Sequence, residues 1–343
     1  MGKEYAVSVP GWRTLLTVIL LTVPEAGWAV VESATENFVA SATLIQGNGG
    51  SGARVNFFAL QMVPPPVYAG TVTAVVLGTL IDANANWSAN QFSGTNGSFY
   101  LDFDSGARVD ILATDSLTKT LTIPTALAVP IAVGNGYCIR KHLTLGAVFG
   151  KNNEAGLTPG GNVAQADNVL VHVAQTQQTL TYFYSNVPGF IGWYSESYAP
   201  ASNVVIHPEN GIMVRRRSTP DVVLYLQGTT KPGLAITPVF SGFNLLGTLN
   251  SQRALKLSEL NLYTGNAATG IGSGSNPSVA DNLILVHPDT TTSSYFYSDY
   301  PGFEGWYDAA FRPAADTLID AGAAFFLQRK APRGAFYWTI PAE

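Results

Sequence analysis

One aromatic cassette occurs twice in this chain. "YFYSNVPGFIGWY" runs from Tyr182 to Tyr194 and "YFYSDYPGFEGWY" from Tyr295 to Tyr307, with ten of thirteen positions identical. Aromatic residues in short alternation suit strands. The Pro188-Gly189 and Pro301-Gly302 pairs suit the centre of a tight turn, because proline sets φ and glycine accepts positive φ. Each cassette therefore predicts a hairpin anchored by Trp193 or Trp306. On such a strand Tyr182 and Tyr184 share one face and Phe183 takes the other. The spacing predicts Phe183 and Phe296 in the core, with Tyr182, Tyr184, Tyr295 and Tyr297 exposed or half-buried.

The match extends beyond the cassette. "ADNVLVH" from Ala166 recurs as "ADNLILVH" from Ala280, and "ASNVVIHPENGIMVRRR" aligns with "AADTLIDAGAAFFLQRK". The cassettes lie 113 residues apart, which indicates a module present twice rather than a solenoid of short repeats. Elsewhere short alternating runs such as "VVLYLQG", "FYLDF" and "TLTI" are broken by Gly, Pro, Asn and Asp, the pattern of an all-β sandwich or barrel. "QRALKLSELNLY", Gln252 to Tyr263, fits a strand as well as a helix. Prolines 64 to 66 force an extended backbone and mark a boundary.

The expected organisation is a signal peptide over 1–29, an extended or strand segment over 30–67, a β module over 68–145, and two related β modules over 146–235 and 236–343. The fold class is all-β: tandem antiparallel sandwich-like or barrel-like modules behind a cleavable N-terminal signal helix. Lys3 and Arg13 precede the apolar stretch Leu15 to Val23, and small Gly27 and Ala29 follow where a signal peptidase cuts. A retained N-terminal anchor is the alternative. No further apolar run reaches membrane-spanning length, so no integral span is expected after cleavage.

Charged residues make up only 12% of the chain, about half the usual share, so the polar surface rests on Ser, Thr, Asn, Gln and Gly. A net charge of −5 offers no basic field for nucleic acid. The run Arg215-Arg216-Arg217 reads as a positively charged strand end. The single Cys138 cannot form an internal disulfide and reads as a small buried hydrophobe.

Chemistry-bearing motifs are incomplete. Gly47, Gly49 and Gly52 satisfy G-x-G-x-x-G, but a strand-like run ending in three prolines follows where a helix is required. Asp82, Asn84 and Asn86 begin like a calcium loop, yet Trp87 and Ser93 stand where Gly and Glu belong, so an Asx-rich turn is the reading. His172 and His287 follow Asp167 and Asp281 at spacings of five and six, which a strand does not place alike. They read as strand-end histidines beside turn aspartates. His207 aligns with Asp320. Asp102 and Asp104 share one strand face and read as solvated, though a pair of acids could serve glycoside hydrolysis. No catalytic residue, metal ligand or cofactor is assigned.

The order "VYAGTVTAV", "KHLTLGAVF", "ADN" followed by an apolar run and His, aromatic triplet, Trp hairpin and an apolar strand ending in Arg resembles a known pattern. It is that of an uncharacterised, exported, paralogue-rich repeat family of verrucomicrobia-like bacteria. There a short Asn-Gly turn and a basic residue after Trp are usual; here the turn is longer and Tyr194 or Tyr307 follows. The resemblance implies export and repeats, and no activity. "GTLIDANANWSANQF" is more loosely similar to β modules of bacterial surface and phage-tail proteins.

The sequence thus predicts a secreted or cell-surface β-rich protein, periplasmic or extracellular, with a structural or interaction role. A carbohydrate-binding module using the hairpin residues Tyr182, Tyr184, Trp193, Tyr295, Tyr297 and Trp306 is the alternative, and a β-rich polysaccharide-active enzyme is the third reading. The partner classes are extracellular polysaccharide and other envelope proteins.

Overall fold

The computed structural model describes residues 38–340, apart from 51, 94–96, 126–129, 232, 250–252 and 288. The expected signal peptide and the beginning of the segment after it lie outside the described residues. What is described is almost entirely antiparallel β structure, with no closed barrel. Among the described residues no helix is long and apolar enough to cross a membrane.

Two five-stranded sheets dominate. The first contains β2 (Arg54–Ala59), β11 (Asn168–Val173), β12 (Gln178–Val187), β13 (Phe190–Ser195) and β14 (Gly211–Arg216), in the order β13-β12-β11-β14-β2. The second contains β17 (Gly242–Gly247), β19 (Asn282–Val286), β20 (Thr292–Ser298), β21 (Gly305–Asp308) and β23 (Ala324–Arg329), in the order β21-β20-β19-β23-β17. The orders correspond strand for strand, and so does the register. Tyr184 faces Trp193 in one sheet and Tyr297 faces Trp306 in the other.

Each sheet is faced by a two-stranded ribbon. β1 (Phe38–Ile45) pairs with β15 (Val222–Thr229), and β16 (Ala235–Val239) pairs with β24 (Phe336–Ile340). The earliest strands of the first half therefore match those of the second. Asn56 on β2 exchanges two hydrogen bonds with the backbone of Gln46, just after β1. Asn244 on β17 does the same with Phe240, just after β16. One amide side chain pins the corner between ribbon and sheet in both halves.

Between ribbon and sheet lies a core. In the first half it gathers Phe58, Val169, Tyr182, Tyr184, Trp193, Ile212 and Val214 with the short helix α1 (Leu145–Phe149). Thr144 caps that helix through its hydroxyl to the Ala147 amide. In the second half the segment "LKLSEL" forms neither an amphipathic helix nor a long strand. Two residues, β18 (Leu255–Lys256), pair with β22 (Leu318–Ile319), and a 3-10 turn follows over Leu257–Glu259. Leu255, Leu257, Leu260 and Leu262 are all buried, which explains their spacing without requiring one regular element.

A smaller sandwich is inserted after β2. One sheet runs β3 (Pro66–Thr71), β10 (Gly136–Lys141), β6 (Phe99–Phe103), β7 (Arg108–Asp110). The other runs β4 (Ala74–Val76), β5 (Thr79–Ile81), β9 (Thr120–Thr122), β8 (Ala113–Asp115). Its aromatic core includes Trp87, Phe92, Phe103 and Tyr137, and Cys138 is buried beside it.

The outer faces of the two large sheets stack on each other through Ala59, Leu170, Met213, Leu245 and Ala324. The layer is thin because small residues meet there. A Cβ on Gly211 would lie 2.6 Å from that of Ala324, and Gly247 abuts Ala59. The edge of this layer is polar. His172 donates to the Phe243 carbonyl at 2.8 Å, and the Gln177 amide bonds both the N–H and C=O of Phe243.

The close approach generates a prediction. Gly211→Ala must push the sheets apart or shift Leu245, so it should lower unfolding free energy by about 1–3 kcal/mol in urea denaturation.

Candidate functional site

Trp193, Trp306, Phe183 and Phe296 are buried, as the spacing predicts, but the tyrosines expected to be exposed or half-buried are largely buried too. Tyr182, Tyr184 and Trp193 face the first core, with 5%, 8% and 2% exposure. Tyr295 and Trp306 are likewise buried in the second core, and Tyr297 packs against it partly buried. The strand neighbours decide this parity. Tyr182 is registered with Val169, which is registered with Val214, so the tyrosine face is the apolar face of the whole sheet. Trp193 donates from Nε1 to the Gly150 carbonyl at 2.8 Å, and its ring meets Tyr184 edge-on. None of these side chains except part of Tyr297 is presented to a ligand.

Phe183 and Phe296 take the other face. They are also fully buried, because a second aromatic residue folds over each. Tyr198 covers Phe183 with ring centroids 5.7 Å apart, and Phe311 covers Phe296 at 5.6 Å. Both covering residues have left-handed backbones, with φ of 62° and 59°. That conformation costs a non-glycine residue roughly 1–2 kcal/mol. Both remain about half exposed. The hairpin turns add further exposed apolar side chains: Phe190 and Ile191 in the first, Tyr300 and Phe303 in the second. Gly189 and Gly302 supply positive φ at the turns, as the Pro-Gly pairs require. An outward aromatic face, made of residues flanking the expected ones, is the candidate functional surface.

The acids are engaged inside the protein. Asp167 accepts from Arg216 Nε at 2.8 Å and from the Thr158 and Arg217 amides. Asp281 accepts from Arg329 and Arg333 and from the Gly272 and Lys330 amides. The partner common to both turn aspartates is thus the arginine ending the last sheet strand, not the histidine six or fewer residues on. His172 bonds across the sheets, while His287 bonds Ser293 at 2.7 Å. Asp102 is not solvated: it is buried between Arg140, at 2.9 Å, and Lys231. β10 runs beside β6 with Cys138 opposite Asp102, so Arg140, two residues on, lies diagonally on the same face. Asp104 is exposed. Asp82 is buried, accepting from Tyr137 at 2.7 Å and Tyr68 at 3.1 Å. Burial and then the Asp82 charge push the Tyr68 phenol up to about 12.

A titratable cluster joins the inserted sandwich to the segment before β14. Arg108 pairs with Glu209 and donates to His207 Nδ1 at 3.1 Å. His142 Nε2 meets Asp110 Oδ1 at 2.9 Å, and the two imidazoles lie 5.7 Å apart. The hydrogen bond from His142 holds Asp110 below the usual carboxylate range. Burial alone would raise Glu209, but the Arg108 charge outweighs it and keeps it low. Burial and the Arg108 guanidinium push His207 down to about 4. A nearby cavity of about 20 Å³, lined in part by Tyr100, Asp102 and Glu209, has room for about one water. These groups hold elements together in a space too small for substrate.

No family model, curated protein or solved structure matches the chain.

The cluster fixes a pH dependence. His207 stays neutral in the fold down to about 4 but takes a proton near 6.5 when unfolded. Its stabilisation is complete above pH 6.5 and is lost as pH falls from 6.5 to 4. Below that, protonation of Asp110 and Glu209 extends the loss. Urea midpoints should fall across this window, and His207→Gln should flatten the upper part of the slope.

Proposed function

We propose that this chain is an exported β-rich protein, secreted or held at the cell surface, with a structural and interaction role. Two copies of one sandwich module stack sheet on sheet and display aromatic hairpins. The observation that carries this reading is the engagement of the buried acids by the protein's own groups: Asp102 with Arg140 and Lys231, Asp167 with Arg216, and Asp281 with Arg329 and Arg333. Glycoside hydrolysis by paired carboxylates needs two acids facing each other across a substrate groove. Here Asp102 is buried against Arg140 and Lys231, so it does not face the exposed Asp104 across a groove. The low charge content and the N-terminal sequence support export.

The carbohydrate-binding reading is favoured by a separate observation, the exposed rings on the outer hairpin faces. It moves from Tyr182, Tyr184, Trp193, Tyr295 and Trp306 to the flanking residues.

Fractionation of the producing cell tests the main reading. The protein should appear in the envelope or medium, shortened near residue 29, and should co-purify with envelope components. Cytosolic protein with an intact N-terminus would count against export. Hydrolase or transferase turnover abolished by substituting one acid would sink the non-catalytic role.

A further inference from the structure

The two hairpins differ where their outer faces meet the preceding loop. In the first, the Tyr198 hydroxyl donates to the Gly161 carbonyl at 3.1 Å and closes the gap between hairpin and loop. In the second, Phe311 stands at the Tyr198 position and has no hydroxyl, while Ser275 takes the place of Gly161. A cleft of about 330 Å³ opens there, lined by Ser275, Ser298, Tyr300, Phe303, Tyr307 and Phe311. That volume falls within the range of about 300–1,000 Å³ typical of small-molecule sites.

We propose that this cleft binds a pyranose ring of a neutral extracellular glycan. The proposal rests on the interaction role above and names a ligand class for it.

The lining dictates the chemistry. Among the described residues no charged side chain lines the cleft. The neighbouring charges are turned to their own loops: Asp299 accepts from Ser273, Glu304 from the Gly302 amide, and Asp308 from Arg312. An ionic ligand would lose hydration here and gain no counter-charge. The rings of Tyr300, Phe303 and Phe311 favour an apolar surface. The two serines and two phenols add hydroxyl groups, and among the described residues neither the Tyr300 nor the Tyr307 hydroxyl meets a hydrogen-bond partner. A purely hydrocarbon ligand would leave these groups unmatched. A pyranose offers both surfaces at once: a face of C–H groups for the electron-rich ring faces, and a rim of hydroxyls. The platform is also preformed. Phe311 is fixed by its left-handed backbone and by Phe296, and Tyr307 lies tilted beside the same ring at 6.3 Å. Little rotamer freedom is then lost on binding.

Saturation-transfer NMR and calorimetry on the full chain test this, using neutral gluco-, manno-, galacto- and xylo-configured hexaoses and an oligogalacturonate. At least one neutral hexaose should bind and receive saturation from aromatic protons. Phe303→Ala should weaken it about tenfold or more. Phe311→Tyr should do the same by closing the cleft as Tyr198 does. The chain already carries Tyr in this backbone conformation, so that variant isolates the hydroxyl from folding. Phe190→Ala, in the first hairpin, should bind like the parent. No neutral hexaose bound at about 10 mM, preference for the anionic probe, or binding unchanged in both cleft variants would overturn the proposal. Cleavage of the bound hexaose would support the cleft and overturn the non-catalytic role. Envelope localisation without glycan binding would overturn the cleft and leave the structural role standing.

Discussion

Each half of this protein depends on one buried carboxylate. Asp167 and Asp281 stand just before the central strand of their sheets, almost without solvent. Each receives an arginine and two backbone amides, one from the preceding loop and one from the end of the last sheet strand. A buried carboxylate is costly unless its lone pairs are filled, and here several donors fill them. The interaction specifies position: it fixes where β11 and β19 begin and where β14 and β23 end. Register follows, and a slip of one residue would turn every side chain to the opposite face. The inward facing of Val169, Tyr182, Tyr184 and Trp193 depends on that register.

The layering explains which aromatics remain outside. Each large sheet has its ribbon on one face and, over part of the other, the second large sheet. The contact between sheets is built by β2, β14 and β11 on one side and by β17 and β23 on the other. The hairpins β12–β13 and β20–β21 lie at the far edges of their sheets. Their outer faces therefore need another cover. Tyr198 and Phe311 provide it for the innermost ring, Phe183 or Phe296, and are themselves left half exposed. The inserted sandwich meets the larger body through a different chemistry, with Arg108, Glu209, His207, His142 and Asp110 at the join.

Much of this was legible in the residues, and the gaps have physical causes. The Pro-Gly turns and the Trp hairpin followed from local chemistry, which neighbours do not alter. The choice of face did not, because "YFY" is apolar on both sides and alternation alone cannot rank Tyr against Phe. The unequal spacings of five and six spoke against pairing Asp167 or Asp281 with the histidine that follows, but they named no other partner. The signal for the true partner was present in the alignment, where Arg216 and Arg329 coincide while the Asp–His spacing does not. The match between "RVNFFA" and "GFNLLG" was equally available through Asn56 and Asn244. It was obscured by the inserted sandwich, which separates β2 from the rest of its sheet in the chain.

The sequence by itself determined the strand-and-turn grammar, the all-β class and the two cassettes, because proline, glycine and alternation act over a few residues. Tertiary structure alone decided which acids are solvated, which rings are exposed, and that one hairpin carries a cleft while the other is closed. Those outcomes depend on side chains brought together from distant segments: Asp102 with Lys231, Tyr198 with Gly161, Ser275 with Phe311. Burial and hydrogen bonding are properties of that assembly, and local sequence does not encode them.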